Sequence, residues 1–353
     1  MVGVNGEGPD GQRLAFAGDT MLGRLVDEHQ WTRDATAVWG DMLPTLQACD
    51  GVFLNLECCL STGGEPWTET YHPFHFRANP EWAAPALRHA GVDWVSLANN
   101  HVLDYGVDGL YDTLDTLTSI GVACSGAGRT VDSARTPAVV TAGDCTVALL
   151  AFTDNTPEFA ASQANPGTAY IEIDDGPEVP SETMEVVSEA LHAARRADPD
   201  LLVVSLHWGP NMRTAPPRQF QHFAHWLVDE GVDLVFGHSA HVFHGVERYR
   251  DGLILYDTGD FVDDYAVDPG LHNDRGFLFV VEVDDGAITG LRLVPTQIGE
   301  FVVNHAPTRV ANWSRDRMQT LSSRFGTDFR RDGEDLVLDL SVEADAGKKL
   351  AGD

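Results

Sequence analysis

Positive charge is scarce in this sequence. Lysine and arginine together number 23 against 54 aspartates and glutamates, which gives a formal net charge of −31 at pH 7. The only lysines are Lys348 and Lys349. A surface of this sign repels nucleic acid and anionic membranes, so we expect neither as a partner. The excess of carboxylates also predicts a halophilic protein, because screening lengths of about 3 Å at 1 M salt weaken repulsion between like charges. A moderately acidic enzyme is the alternative.

Long apolar runs are also missing. No stretch approaches the roughly 18–20 apolar residues that a membrane-spanning helix needs, and the mean hydropathy is −0.16. Residues 1–10 are polar and rich in glycine, without the basic and apolar regions of a signal peptide. We therefore expect a cytoplasmic protein.

Several catalytic signatures are absent. The 5 cysteines fit no zinc-ribbon or zinc-knuckle spacing, so we predict reduced and mostly buried thiols. Cys58 directly follows Glu57 and is the one cysteine with a possible place beside a site. Neither a Walker A sequence nor a Gly-x-Ser-x-Gly motif occurs, which argues against P-loop nucleotide hydrolysis and against a nucleophile-elbow serine hydrolase.

What the sequence does contain is an alternation of short apolar runs and helical stretches, which is typical of an α/β fold with a largely buried sheet. The predicted strands are 14–18, 51–56, 92–98, 146–152, 201–206, 232–236 and 253–256. The predicted helices are 35–48, 80–89, 106–120, 181–196 and 217–230. A hairpin over 276–295, a helix over 312–324 and a strand over 336–340 follow. We predict a single domain over 12–340, with a core over 13–265, a C-terminal hairpin and helix over 276–340, and flexible tails at 1–11 and 343–353.

Polar side chains follow five of these strands, at the point where each strand ends. They are Asp19, Glu57, Asn100 with His101, His207, and His238 with His241. The carboxyl ends of parallel strands share one edge of a sheet, so these residues would meet in one cleft. Carboxylate, amide oxygen and imidazole together suit zinc, manganese or iron. Each polar strand end alone is weak evidence for a metal site, because an aspartate after a strand is often a helix cap. The coincidence of five such strand ends predicts a metal site.

Around these strand ends the sequence resembles the CapA family, named for capsule and poly-γ-glutamate synthesis, within the calcineurin-like metallophosphatase superfamily. The motifs that carry the resemblance are Gly18-Asp19-Thr20-Met21, Asn55-Leu56-Glu57, Ser96-Leu97-Ala98-Asn99-Asn100-His101 with Asp104-Tyr105-Gly106, Ser205-Leu206-His207-Trp208-Gly209, Gly237-His238-Ser239-Ala240-His241 and Leu255-Tyr256-Asp257-Thr258-Gly259-Asp260-Phe261. Their order and spacing cover residues 13–265.

The resemblance implies a four-layer αββα sandwich and a centre of one or two divalent ions. It implies that the metal ligands are Asp19, Glu57 and His241 at the first position and Asn100, His207 and His238 at the second, with one carboxylate bridging. His101 would be a general acid rather than a ligand, and we place Asp104 beside it as a catalytic residue. Two such cations would lower the pKa of a bridging water and neutralise charge on the substrate.

Three positions depart from the family pattern. Related metallophosphatases carry a histidine two residues after the first aspartate, where this chain has Met21, so the first metal position would be weak or completed by water. Asp260 stands where the family has asparagine, and His244 where it has glutamine. The extra carboxylate could bind a metal, orient a histidine, select a cationic group of the substrate, or merely cap a helix.

Other side chains are candidates for contact with the substrate. They are Arg24, Asn55, Asn99, His72, His75, His244 and Asp260. Arg24 could instead form a plain surface ion pair.

Three functions follow from this site. The first is a metal-dependent hydrolase acting on a small phosphorylated or anionic substrate. The alternative is a hydrolase or accessory protein of γ-linked glutamyl polymers, with a peptide-like anionic substrate, although a chain of net charge −31 repels a polyanion unless salt screens it. The third is a binding protein with a partial metal site.

Overall fold

The computed structural model describes residues 11–173 and 179–341. Its strands are β1 (Gln12–Thr20), β2 (Gly51–Leu56), β3 (Cys59–Leu60), β4 (Arg77–Ala78), β5 (Val92–Ser96), β6 (Ala123–Ser125), β7 (Ala127–Gly128), β8 (Ala138–Ala142), β9 (Cys145–Thr153), β10 (Gly167–Thr168), β11 (Leu201–His207), β12 (Leu234–His238), β13 (Val246–Tyr249), β14 (Gly252–Leu255), β15 (Asp260–Val262), β16 (Arg275–Asp284), β17 (Ala287–Gly299), β18 (Val302–His305), β19 (Arg330–Asp332) and β20 (Asp335–Asp339).

The helices lie between these strands and at the C-terminal side. The α-helices are α1 (Leu25–Gln30), α2 (Leu43–Gln47), α3 (Pro80–Ala90), α4 (Gly106–Ile120), α5 (Val131–Ala134), α6 (Ser181–Arg195), α7 (Arg218–Asp229) and α8 (Thr308–Ser322). Segments Ala35–Met42, Pro157–Phe159 and Ser323–Phe325 are 3₁₀-helical.

Most strands belong to two large sheets. A 10-stranded sheet has the order β19-β20-β17-β16-β1-β2-β5-β6, with β15 on β1 and β18 on β17. A 6-stranded sheet has the order β13-β14-β12-β11-β9-β8. Strands β1, β2, β5 and β6 are mutually parallel, as are β9, β11, β12 and β14. Parallel neighbours place their carboxyl ends on one edge, and this edge carries the polar residues of interest.

The two sheets face each other across a buried aromatic and aliphatic layer. Phe16 of β1 packs against Phe53 at 5.1 Å and against Phe236 of β12 at 5.3 Å between ring centroids, and all three rings are fully buried. The outer face of the first sheet carries a second apolar cluster with α3 and α4. The outer face of the other sheet carries a third with α6 and α7. Helix, sheet, sheet and helix layers therefore confirm the αββα sandwich.

The C-terminal region extends the first sheet. Strands β16 and β17 form the predicted hairpin, and β16 pairs antiparallel with β1 from Gln12 to Phe16. The turn between β16 and β17 contains Asp285 and Gly286, with φ of 49° and 73°. A two-residue hairpin loop of type I′ requires positive φ at both positions. The predicted tails at 1–11 and 343–353 lie outside the described residues, except for Gly11.

Some sequence predictions of local structure were wrong in detail. The helix predicted over 35–48 is broken. Gly40, with φ 47°, kinks the 3₁₀-helical segment Ala35–Met42, and α2 begins only at Leu43. The helix predicted over 312–324 begins four residues earlier, at Thr308, directly after Pro307. Several short strands, such as β8 and β15, were not predicted, because their sequences show no clear alternation of apolar and polar residues.

The predicted thiols are confirmed as unpaired. All 5 cysteines are free, and Cys58, Cys59 and Cys145 are buried. Cys58 packs in the outer apolar cluster of the first sheet, where burial raises the pKa of its thiol. Over residues 11–173 and 179–341, no helix has the length and apolar character of a bilayer span.

The close approach of strand ends depends on glycine. A Cβ placed on Gly237 would lie 2.1 Å from the carbonyl oxygen of Tyr256, and this backbone belongs to the same sheet edge. We expect Gly237→Ala to lower the free energy of unfolding by about 1–3 kcal/mol, because an overpacked backbone must shift. Urea denaturation monitored by tryptophan fluorescence measures the change.

The matched control is Gly299→Ala, at the end of β17, where an added Cβ meets no atom within 4 Å. Its free energy of unfolding should stay the same or rise slightly, since alanine restricts the unfolded chain. Equal losses in both variants would contradict the explanation by close contact.

Candidate metal centre

The predicted ligands meet at the shared edge of the two sheets. Asp19 lies near the end of β1, and His207 and His238 are the final residues of β11 and β12. The last two face each other in register across parallel strands. Glu57 and Asn100 follow β2 and β5 within a few residues. Side-chain contacts join all of the predicted ligands, including His241, into one connected group.

Two imidazoles form the centre of this group. His207 Nδ1 and His238 Nδ1 lie 2.9 Å apart, and Asp19 Oδ1 is 3.5 Å from His238 Nδ1 and 3.9 Å from His207 Nδ1. Burial lowers the pKa of His238 to about 4 and the pKa of His207 well below its ordinary value. Neutral imidazole is the form that binds a metal ion.

The remaining nitrogens of both rings are held by polar neighbours. Ser205 Oγ lies 2.8 Å from His238 Nε2, and Asn100 Oδ1 lies 2.8 Å from His207 Nε2. Because Ser205 lies two residues before His207 on β11, the two side chains share one face of the strand. Such neighbours fix the orientation of ligand rings in metal sites.

The Asp19 carboxylate is held from several directions. Asn55 Nδ2 donates to its Oδ1 at 2.8 Å, the Ser239 backbone N–H donates to Oδ2 at 3.1 Å, and His241 Nδ1 lies 3.4 Å from Oδ2. Burial acts to raise the pKa of Asp19, but the hydrogen bond with His241 and the charges of nearby histidines outweigh it and hold the pKa below its usual range. Asp19 is therefore an ionised acceptor.

Glu57 has a buried oxygen that lacks a hydrogen-bond donor. Its Oε1 is without a partner, although it lies 3.7 Å from His207 Nε2 and 3.8 Å from His101 Nε2. Burial, followed by the charge of Asp19, raises the pKa of Glu57 well above its ordinary value. A buried carboxylate oxygen without a donor is costly, and a cation beside it would remove that cost. This donor set of oxygen and nitrogen atoms fits a divalent metal ion.

His101 is fixed by an aspartate on its far side. Asp104 Oδ2 lies 2.7 Å from His101 Nδ1 and accepts the backbone N–H of Phe76 at 2.5 Å. Its other oxygen, Oδ1, lies 2.6 Å from His72 Nε2. With Nδ1 held by Asp104, the Nε2 atom of His101 is left on the side of Glu57 and the ligands.

Asn55 and Asn99, predicted to contact the substrate, lie inside the supporting network instead. Asn99 Nδ2 donates to Asn55 Oδ1 at 3.1 Å and to the carbonyl of Leu56 at 2.9 Å. Its Oδ1 accepts the backbone N–H of His101 at 3.1 Å. The two amides thus connect the turn of His101 to Asp19.

A cavity of about 440 Å³ opens onto the centre. Its polar lining includes His72, Asn100, His101 and His241, and its apolar lining includes Phe74 and Tyr265. This volume lies within the range of about 300–1,000 Å³ that is usual for small-ligand sites. The described lining residues include no aspartate or glutamate.

The other predicted substrate residues have different surroundings. Arg24 Nε lies 3.3 Å from Asp264 Oδ2, and its guanidinium lies over the ring of Phe74, a cavity residue, at 4.7 Å. His75 Nε2 lies 2.8 Å from the carbonyl oxygen of Trp67, and the ring packs beside His72.

His244 is set apart from this cavity. Its Nε2 lies 2.8 Å from the carbonyl oxygen of Arg213, and it lines a separate small cavity beside Trp208 and Phe220. Burial lowers the pKa of His244 to about 4.

Asp260, by contrast, is in the centre. Its Oδ1 lies 2.8 Å from His241 Nδ1. Sequence reasoning missed Asp263 and Tyr265, which follow on the same segment. The Tyr265 ring lies 4.9 Å from that of His241. A run of aspartates after a short strand was the available signal.

Residues 13–265 match the model of the family described as "Bacterial capsule synthesis protein PGA_cap". The chain belongs to this family.

Two curated relatives illustrate the similarity. A "Probable polyglutamine synthesis accessory protein" of Mycobacterium tuberculosis is 31% identical over 90% of this chain and 93% of its own length. The "PGA biosynthesis protein CapA" of Bacillus subtilis is 30% identical over 71% of this chain and 63% of its own length. Among solved structures, a hypothetical protein from Thermus thermophilus covers 84% of this chain and all of its own, with 15% identity and a TM-score of 0.47.

Removal of one central imidazole tests whether the group binds metal. We expect His238→Gln to weaken binding of Mn²⁺ or Zn²⁺ at least tenfold, because losses of even supporting residues in metal sites cost about 10–100-fold. Metal content after loading and dialysis, measured by mass spectrometry, gives the result.

The control is His192→Gln, since His192 is exposed near the end of α6 that leads into the start of β11, whereas His207 is at the other end of that strand. It should leave the metal content unchanged. Equal metal content in wild type and both variants would refute a metal role for His238.

Proposed function

We propose that this chain is a divalent-metal-dependent hydrolase of γ-linked glutamyl polymers, acting in the synthesis or processing of a capsule-type polymer. The observation that carries the proposal is the buried convergence of His207, His238 and Asp19 beside the unpartnered oxygen of Glu57. The family and the names of the relatives favour this substrate class over the small phosphorylated substrate that the sequence first suggested.

The metal would be held by the residues that the sequence predicted. They are Asp19, Glu57, Asn100, His207, His238 and His241. Oxygen and imidazole donors in this mixture suit manganese, zinc or iron. When bound, such an ion acts as a Lewis acid and lowers the pKa of a coordinated water.

The protein's own contribution is to orient groups and move protons. His101 lines the cavity and presents Nε2 toward it, because Nδ1 is engaged by Asp104 at 2.7 Å. In its protonated form, His101 would give the Nε2 proton to the leaving amine of a cleaved γ-amide. Asp104 would stabilise that form and fix the ring, and Asn99 would hold the His101 backbone.

The cavity lining also suits an anionic chain. The overall charge of −31 opposes a polyanion, yet the described lining residues offer imidazoles, the amides of Asn100 and Asn211, and no carboxylate. Repulsion thus comes from the wider surface, and salt screens surface charge over about 10 Å at 0.1 M and about 3 Å at 1 M.

A paired substrate assay tests the proposal. Metal-loaded protein should release amines from γ-linked glutamyl oligomers, and His101→Asn should lower kcat by about 10²–10⁴-fold while metal content stays the same, since general acids contribute this much. The amine-release rate and the metal content are measured on the same samples.

The His192→Gln variant serves again as the exposed control and should keep full activity. Phosphate release from nitrophenyl phosphate without cleavage of the oligomers would overturn the substrate class. Full metal loading without turnover of either substrate would favour a binding protein instead.

Salt provides a second test of the substrate class. Raising NaCl from 0.1 to 1 M should lower KM for long γ-glutamyl chains, because it screens the repulsion between two polyanions. The KM for γ-glutamyl nitroanilide, which has no net charge, should change little. A KM for long chains that rises with salt would contradict this electrostatic account.

A further inference from the structure

We infer that Asp260 is a metal ligand and that it joins Asp19 and His241 at the first of the two cation positions implied by the family resemblance, beside the position at His207 and His238. The inference rests on the proposed metal dependence and extends it. It assigns to the centre a carboxylate that the motif-based ligand set does not include.

The strand pairing brings these side chains together. Strand β15 pairs parallel with β1, and Asp260 stands opposite Asp19 in that register. His241 Nδ1 lies 2.8 Å from Asp260 Oδ1 and 3.4 Å from Asp19 Oδ2. One ligand atom from each of the three side chains lies within 4.8 Å of the other two. All three residues are at least 98% buried, with exposures of 0% for Asp19 and 2% for the others.

Unpartnered oxygens point to a cation at this place. Asp260 Oδ2 and Asp263 Oδ2 are buried and receive no hydrogen bond from an N–H or hydroxyl donor, and the same is true of Glu57 Oε1 and Asp264 Oδ1. The carboxyl groups of Asp260 and Asp263 lie against each other. The cationic side chain in contact with Asp260 is the single imidazole of His241. Several carboxyl groups around one imidazole place more acid than base in this buried space, and buried acids of this kind are normally protonated, paired or bound to a metal.

The position of Met21 explains why a ligand from β15 is needed. Met21 is fully buried in the apolar cluster on the outer face of the first sheet, and its backbone N–H donates to the carbonyl of Val262 at 2.8 Å. A thioether in an apolar layer is a poor ligand for manganese, zinc or iron. Strand β15 thus supplies a carboxylate, whereas the residue two places after Asp19 supplies no ligand.

A rival arrangement is that Asp260 only orients the His241 ring and never touches the ion. The two arrangements differ in metal stoichiometry. As a ligand, Asp260 determines whether the second ion is held at all, whereas loss of an orienting group lowers the affinity by about 10–100-fold and leaves two ions bound at saturation.

Manganese titration decides between them. Wild-type chain should bind two Mn²⁺ ions by calorimetry, with the spin-coupled electron paramagnetic resonance signal of a close pair. Asp260→Ala should bind one ion with the affinity of the tighter wild-type site and an uncoupled signal. Asp260→Asn is the variant of similar shape to use if the alanine variant does not fold. It should lower the affinity for the second ion by more than the roughly 10–100-fold that loss of an orienting group costs, because an amide oxygen carries no charge.

The matched control is Asp264→Asn. This substitution removes a carboxylate from the same segment, but that carboxylate pairs with Arg24. It should retain both ions. Two ions bound with unchanged affinity in the Asp260 variants, or one ion in the wild type at saturation, would overturn the inference. Two ions in the wild type, loss of one in Asp260→Ala and no hydrolysis would overturn the proposed function alone.

Discussion

The carboxylate of Asp19 joins the two sheets of the sandwich. From its own sheet it accepts a hydrogen bond from Asn55, and from the facing sheet it receives the Ser239 backbone N–H and the approach of His238 and His241. These contacts need the sheets at one fixed separation, which the buried aromatic layer between them sets. The centre is therefore a product of sheet packing, and a change in that packing would move ligands from both sides.

Much of this arrangement could be predicted because it follows from strand ends. A buried strand shows as an apolar run, and the first polar residue after it lies at the sheet edge, so Asp19 and His238 were found without a structure. The αββα order came from the family resemblance. His72 was a candidate for the cleft and does line the cavity, but its contact with Asp104 could not be predicted, since His72 lies in an irregular segment with no period and reaches Asp104 only through the tertiary fold.

Negative charge has two separate roles in this molecule. On the surface it affects association with other charged molecules and is sensitive to salt. Inside, the carboxyl groups of Asp19, Glu57 and Asp260 are removed from solvent, where bulk salt screens them weakly, so each must be protonated or have its charge balanced locally. A chain rich in surface acid can thus still have a specific requirement for a cation at one internal place.

The shape of the centre bears on whether its metal would be structural or catalytic. Structural metal sites enclose the ion completely, whereas catalytic sites leave a position open to water or substrate. Here Asn100 and His241, which we propose as ligands, form part of the wall of the cavity together with His101, so one side of the proposed ligand group faces a space large enough for a small molecule. A histidine fixed by an aspartate beside that open side has no evident use in a purely structural site. The combination of an open ligand group with an oriented proton donor therefore supports hydrolysis over simple metal-stabilised binding.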